Sequence, residues 1–208
     1  MVKKIKKVIK NRPSRERKKI IIVGTEGDNK TERSYLSALE REQSVYHFIF
    51  AEGNETDPVK IVKNTKKRAD KENIEEENGD FAVSIFDLDL QESKKRQYKQ
   101  ALKIASDNRI KVITSNPCFE VWYLEHFEYT SKQYNSSAEV IKELKRRLPN
   151  YQKDKCDFVE LYSRTQNAIK NCKKLERFHE QSGTGKLGAF NNPQTDMYKL
   201  VEIVLTKP

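Results

Sequence analysis

The sequence KKIIIVGTEG at residues 18–27 sets the architecture of the chain, because a run of β-branched residues is ended there by a glycine. Such a run predicts a buried strand followed by a turn. Further strands are predicted by runs of the same character, YHFIF at 46–50, FAVSIF at 81–86 and IKVIT at 110–114. The segments between these runs carry helical signals. Strands that alternate with helices predict an α/β fold, with a four-stranded parallel sheet of Rossmann-like type covered by helices on both faces.

Helices are predicted both between the strands and after them. Asp57 and Pro58 are a typical N-cap and first helical residue. The predicted helices lie at residues 31–39, 58–71, 93–106, 118–127, 139–148, 158–181 and 195–205, with Thr195 as the N-cap of the last. The chain is thus expected to have three parts: a basic N-terminal arm at 1–18, an α/β core at 19–117, and a helical C-terminal portion at 118–208 that packs on the sheet.

The composition is that of a polar globular protein, with 36% apolar and 35% charged residues among 208. No apolar stretch approaches the roughly 20 residues of a membrane span, and the basic N-terminus is not followed by the apolar core of a secretory signal. The three cysteines have no paired spacing, which argues against disulfides and a zinc site. We therefore expect a cytoplasmic protein with no membrane partner.

Positive charge is concentrated at the N-terminus. Residues 1–19 contain ten Lys and Arg and one acid, in a chain whose net charge is +10. A basic arm of this kind can pair with the phosphates of nucleic acid and release their counterions. A solvated tail that serves only solubility has the same composition, so the arm by itself leaves the partner open.

Acidic side chains follow two of the predicted strands. Glu26 ends the first strand, with Glu32 shortly after it, and Asp87 and Asp89 end the third. In a parallel sheet these strand ends lie at one edge, where ligands bind. Residues two apart in an extended segment point the same way, so Asp87 and Asp89 can face one ion. Carboxylates that repel one another without a cation predict a Mg²⁺ or Mn²⁺ site, although an acid after a strand is also a common helix cap.

Four motifs of the chain resemble those of a known family. They are EGDNKTE at 26–32, FDLD at 86–89, SNPCFEVW at 115–122 and NPQT at 192–195. Together they resemble the RloB/AbiL group, and SNPCFEVW is the most specific of them. The order of strand–Glu and strand–Asp-x-Asp is also similar to the Toprim catalytic domain of topoisomerases, primases and OLD-type nucleases.

The resemblance implies a Toprim-like fold and metal-dependent hydrolysis of phosphodiesters in DNA or RNA. It also implies a role in phage defence through abortive infection, beside an AAA/ABC-type ATPase partner, and a homo-oligomer is compatible with it. Glu26, Asp87 and Asp89 match the family's metal ligands. Glu32 and Glu120 match further catalytic positions. The spacing from Glu26 to Glu32 is a residue longer than the commonest pattern, and Glu120 fits either a ligand or a helix cap.

A cation that neutralises the transition state is also expected, and Lys30 and Lys186 are the candidates. Two other functions remain open. One is a non-catalytic nucleic-acid-binding or regulatory subunit of the same ATPase complex. The other is a phosphatase of the haloacid-dehalogenase kind, which also uses Asp-x-Asp. In that class the pair normally follows the first strand, whereas here Asp87 follows the third, and Leu90 stands where Thr or Val is usual.

Overall fold

The computed structural model describes residues 17–27, 30–88, 92–153, 155, 158–183 and 188–206. Most of the basic arm, together with Asp89 and Lys186, therefore lies outside the described residues. The strands are β1 Lys19–Thr25, β2 Tyr46–Phe50, β3 Phe81–Asp87, β4 Ile110–Asn116 and β5 Gln194–Thr195. The helices are α1 Lys30–Glu42, α2 Pro58–Glu72, α3 Glu92–Asp107, α4 Glu120–Glu125, α5 Ser137–Arg147, α6 Phe158–Ser163, α7 Thr165–Gln181 and α8 Met197–Leu205.

The strands of the described residues form one sheet in the order β2-β1-β3-β4-β5. The four predicted strands are confirmed and are mutually parallel. The expectation of a purely parallel four-stranded sheet is wrong, because β5 pairs antiparallel with β4 through Ser115 and Thr195. A strand of two residues has no alternating pattern, and its pairing depends on a partner far away in the sequence, so sequence periodicity cannot reveal it.

The two faces of the sheet are covered by different helices. Side chains of a strand alternate between faces, and in β1 Ile22 packs with residues of α2 and α3. Ile21 and Val23 point the other way, into a larger core built from α1 and from α4 to α8. The helical C-terminal half therefore packs on one face of the sheet.

Close packing of α2 on β1 depends on Gly24. A Cβ atom at this position would lie 1.9 Å from Thr65 Oγ1. That hydroxyl lies 2.8 Å from Ser84 Oγ on β3 and donates to the carbonyl oxygen of Ile61 at 2.9 Å. The predicted N-cap of α2 is confirmed, since Asp57 Oδ1 accepts a hydrogen bond from the Val59 amide at 2.8 Å. The first contact sets the distance between the middle of α2 and β1, and the second sets where the helix begins.

Several predicted helices have different limits in the structure, and α1 is longer than the predicted 31–39. The aromatic segment after β4 is helical only over Glu120–Glu125. The predicted helix at 158–181 is divided at Arg164, because α6 packs on α1 and α7 packs on α4, which requires a change of direction. The last helix begins at Met197 and not at Thr195. Thr195 belongs to β5, although its hydroxyl still accepts a hydrogen bond from the Met197 amide at 3.3 Å.

Arg17 connects the end of the basic arm to the core. Its guanidinium donates to Asp80 Oδ2 at 2.8 Å, and the same carboxylate accepts from the amides of Ile20 and Glu75. Burial raises the pKa of Asp80, but these hydrogen bonds outweigh it and hold the pKa below its usual value. The pair anchors the beginning of β1.

Across the part of the chain that the structure describes, every helix is too short or too polar to cross a bilayer.

Candidate carboxylate site

The candidate site lies at the topological switch point of the sheet, between β1 and β3. From β1 the chain moves to β2 on one side, and β3 lies on the other side of β1. A parallel sheet binds ligands at such a switch point, beyond the carboxyl ends of the strands. Thr25 at the end of β1 is paired with Ile85 of β3. Glu26 and Asp87 therefore follow on neighbouring strands at nearly the same level of the sheet edge, as predicted from the sequence.

Gly27 allows the turn that carries Glu26 out of the strand. Its φ of +46° lies in the left-handed region, which favours glycine. Its amide donates to the carbonyl oxygen of Glu55 at 2.8 Å, which joins the turn to the loop before α2. Since nothing lies within 4 Å of a Cβ built there, the glycine is required by backbone conformation and not by a close contact.

Glu32 is delivered to the site by the first turn of α1. It is completely buried, and burial raises its pKa to about 8. Burial is the largest cause of this shift. The negative charges of Glu120 and Glu26 contribute to it, whereas a backbone hydrogen bond and the charge of Lys153 oppose it. Glu26 follows β1, Glu32 lies in the first turn of α1 and Glu120 follows β4, so all three lie towards the carboxyl-end edge of the sheet.

Glu120, the first residue of α4, is buried beside the same edge. Its Oε1 accepts a hydrogen bond from the Tyr151 hydroxyl at 2.7 Å. Tyr151 belongs to a loop that is held over the start of α1, because the Thr31 hydroxyl donates to the carbonyl oxygen of Lys153 at 2.6 Å. The loop thus orients one carboxylate and limits the access of water to it.

Cys118 is buried in the segment that connects β4 to α4. Burial raises the pKa of its thiol, and the charges of Glu120 and Asp87 raise it further. A thiol in this environment stays protonated at neutral pH, and a nucleophilic role would require the thiolate. Cys118 therefore belongs to the hydrophobic core beside the site, and its environment does not activate the thiol.

The sequence did not predict the roles of Tyr151 and Lys153. Neither belongs to a motif, and Tyr151 is 31 residues from the carboxylate that it binds. Lys153 is a cation near Glu32 within the described residues. The two cations named from the sequence, Lys30 and Lys186, have side chains outside that description.

The donor set has the chemistry of a magnesium site. Its side chains are carboxylates, which are the hard oxygen ligands that Mg²⁺ prefers. Asp89, the third predicted ligand, lies outside the described residues, and among the residues that are described no three acidic, histidine or cysteine side chains are grouped closely enough to hold a metal ion. The ligand set of Glu26, Asp87 and Asp89 therefore stays a prediction.

Comparison with known proteins adds one finding. The model of a family described as RloB-like protein matches residues 21–204. The match runs from within β1 to the last turn of α8, so it includes the acidic edge and the loop above it. No curated protein matches the chain significantly.

Proposed function

The chain belongs to the RloB-like family, and from this membership together with the acidic edge of its sheet we propose that it is a metal-dependent nuclease subunit. The substrate is the phosphodiester backbone of DNA or RNA. The observation that carries the proposal is the position of Glu26 and Asp87 at the ends of neighbouring parallel strands, at the switch point of the sheet, with Glu32 and Glu120 buried beyond the same edge. Acidic side chains concentrated at a ligand-binding edge are expected where a divalent cation is held.

Glu26, Asp87 and Asp89 would hold Mg²⁺ or Mn²⁺, which supplies Lewis acidity and an activated water for attack on phosphorus. Glu32 is buried, which raises its pKa to about 8. A divalent cation bound at the edge would favour its charged form. Tyr151 holds the Glu120 carboxylate in one orientation through its 2.7 Å hydrogen bond. Lys153 lies on the same side and can attract a phosphate to the edge.

The family resemblance supports a role in phage defence, with the chain as the effector subunit beside an AAA/ABC-type ATPase. In this proposal the ATPase controls when the chain reaches nucleic acid. The acidic edge supports only the chemical part of the proposal, and the partner rests on the resemblance.

The test is cleavage of labelled DNA and RNA by the purified chain with Mg²⁺ or Mn²⁺, alone and with the ATPase. Asp87→Asn removes a charged ligand with almost no change in shape, and we expect it to abolish cleavage while the melting temperature changes little. Asp107→Asn is the matched control, because Asp107 is exposed at the far end of α3. Wild-type activity in Asp87→Asn would refute the metal assignment.

A second candidate is a non-catalytic nucleic-acid-binding or regulatory subunit of the same complex. It is favoured by the lack of a three-ligand cluster among the described residues. In that case the purified chain binds nucleic acid in the presence of EDTA, and no cleavage is detected with either metal, with or without the ATPase.

A further inference from the structure

The outer surface of α2 carries a continuous row of lysines. They are Lys60, Lys63, Lys67 and Lys71, all exposed and spaced three or four residues apart. This spacing places them on one side of the helix. The buried residues Val59, Val62 and Thr65 lie on the opposite side, against the sheet. The row therefore points directly into solvent.

Helix α3 has a matching row. Arg96, Lys99 and Lys103 are exposed at the same spacing, and Ala101 and Ala105 on the other side of the helix are buried. α3 packs beside α2 on the same face of the sheet. Both helices follow strands of one parallel sheet, so the two rows run side by side, with axes about 8–10 Å apart.

The acidic residues of α2 do not neutralise its row. Lys66 pairs with Asp70 at 2.5 Å, and Arg68 pairs with Glu72 at 3.0 Å. Within the part of the chain that the structure describes, no ion pair involves Lys63, Lys67 or Lys71. Three adjacent positive charges are thus left for a partner.

We propose that the solvent face of α2 and α3 is the surface on which the chain binds the phosphate backbone of double-stranded nucleic acid. This inference rests on the proposed function and names the surface that holds its substrate. Lys60 pairs with Glu55 at 3.0 Å, so the part of the row without an ion pair among the described residues runs from Lys63 to Lys71 and rises about 12 Å. One strand of a duplex carries about three to four phosphates over that length, so the density of charge on this part of the helix is similar to that on the strand.

A duplex fits this surface better than a single strand does. Single strands are held by aromatic side chains on which bases stack. α2 contains no aromatic residue, and α3 contains only Tyr98. Tyr98 packs edge-to-face on Phe86 and Phe190, at 6.2 Å and 5.3 Å between ring centroids. The surface therefore offers positive charge without aromatic side chains on which bases can stack. Its two parallel rows of charge match the two phosphate strands that border a groove of a duplex.

The surface is continuous with the carboxylate site. α2 and α3 begin at the edge where β2 and β3 end, and Gln97 Nε2 donates to Asp57 Oδ2 at 3.2 Å, which joins the two helix starts. A nucleic-acid backbone bound along the rows would therefore reach the edge of the sheet that carries Glu26 and Asp87. In the opposite layer α5 offers only Lys142 and Lys145 without an ion pair among the described residues, because Arg146 and Arg147 pair with Glu143 and Glu128.

The test is the salt dependence of duplex binding, measured by fluorescence anisotropy in EDTA with the full chain. The variant Lys63→Gln/Lys67→Gln/Lys71→Gln removes three charges from the row. Lys142→Gln/Lys145→Gln/Lys170→Gln removes three exposed charges from the other layer and matches the change in net charge. The probe is a labelled DNA duplex of about two helical turns, titrated between about 50 and 200 mM salt.

We expect the slope of log K against log salt to fall by about 2.7 in the α2 variant, about 0.9 for each lost phosphate contact. The control variant is expected to keep the wild-type slope. An unchanged slope in the α2 variant, or an equal fall in the control, would overturn the proposal. An equal fall for single-stranded DNA would overturn the preference for a duplex.

EDTA separates this result from the proposed chemistry. Binding through phosphates needs no divalent ion, so the slopes stay measurable if no cleavage is found with any metal. The three lysines are exposed and have no ion pair with any residue that the structure describes, so we expect the variant to melt at the wild-type temperature.

Discussion

Replacement of Gly24 by alanine tests how α2 is seated next to the acidic edge. The new Cβ would lie 1.9 Å from Thr65 Oγ1 and 3.2 Å from Thr65 Cβ. The first distance cannot be kept, so the hydroxyl or the whole helix must move. Movement of the hydroxyl breaks its buried contact with Ser84 Oγ at 2.8 Å, and movement of the helix displaces the loop that precedes it.

The expected loss of unfolding free energy follows from these contacts. Overpacking of a buried position costs about 1–3 kcal/mol, and loss of a buried hydrogen bond adds about 1 kcal/mol. We therefore expect Gly24→Ala to lower the free energy of unfolding by about 2–4 kcal/mol. Urea denaturation followed by circular dichroism measures this change directly.

A double-mutant cycle with Thr65→Ala identifies the cause. Thr65→Ala alone costs about 1–2 kcal/mol, because Ser84 loses its partner. It also removes the atom that an alanine at position 24 would meet, so the double variant is expected to be more stable than Gly24→Ala. Gly27→Ala is the control: it is strained by its positive φ but should not be coupled to Thr65. Additive costs of Gly24→Ala and Thr65→Ala would refute the steric explanation.

Three further predictions concern buried hydrogen bonds and charges. Tyr151→Phe removes the donor to Glu120 and should lower the free energy of unfolding by about 1.5–3 kcal/mol, as for a bond to a charged group; an unchanged urea midpoint would contradict it. Burial raises the pKa of Glu125 to about 8, so wild-type stability should fall as pH rises from about 4.5 to 8. Glu125→Gln should reduce that decline in thermal melts across this range, and the remainder belongs to Glu32, whose pKa is also raised to about 8. The depressed pKa of Asp80 stabilises the fold above the unfolded pKa and is lost as pH falls through the folded one. Asp80→Asn should therefore be destabilising at pH 7 and nearly neutral in strong acid; equal destabilisation at both pH values would exclude the ion pair with Arg17 as the cause.

Local signals predicted most of the α/β core. β1 was recognisable because Ile20–Val23 is an apolar β-branched run. α2 was recognisable because Asp57 is its N-cap and Pro58 its first helical residue. The prediction of one continuous helix at 158–181 was wrong. Arg164 has no sequence feature that breaks a helix, and the division arises from the packing of its two halves on different neighbours.

The acidic residues of the candidate site also show which features the sequence can predict and which it cannot. Glu26 and Asp87 could be placed at one edge from sequence because the ends of parallel strands meet there. The burial of Glu32 and its electrostatic interaction with Glu120 could not be predicted from the sequence. The two residues are 88 positions apart, and only the packing of α1 and α4 brings them together. Tyr151 completes the arrangement from a loop with no recognisable motif.

The amino-acid sequence alone determined the strands, most of the helices and the acidic residues that follow β1 and β3, since these depend on the preferences of neighbouring residues. Only the tertiary structure decided the antiparallel β5, the buried environment that raises the pKa of Glu32, and the alignment of the basic rows of α2 and α3 on one face. These depend on residues distant in the chain, whose contacts arise only when helices pack on a sheet and exclude water between them.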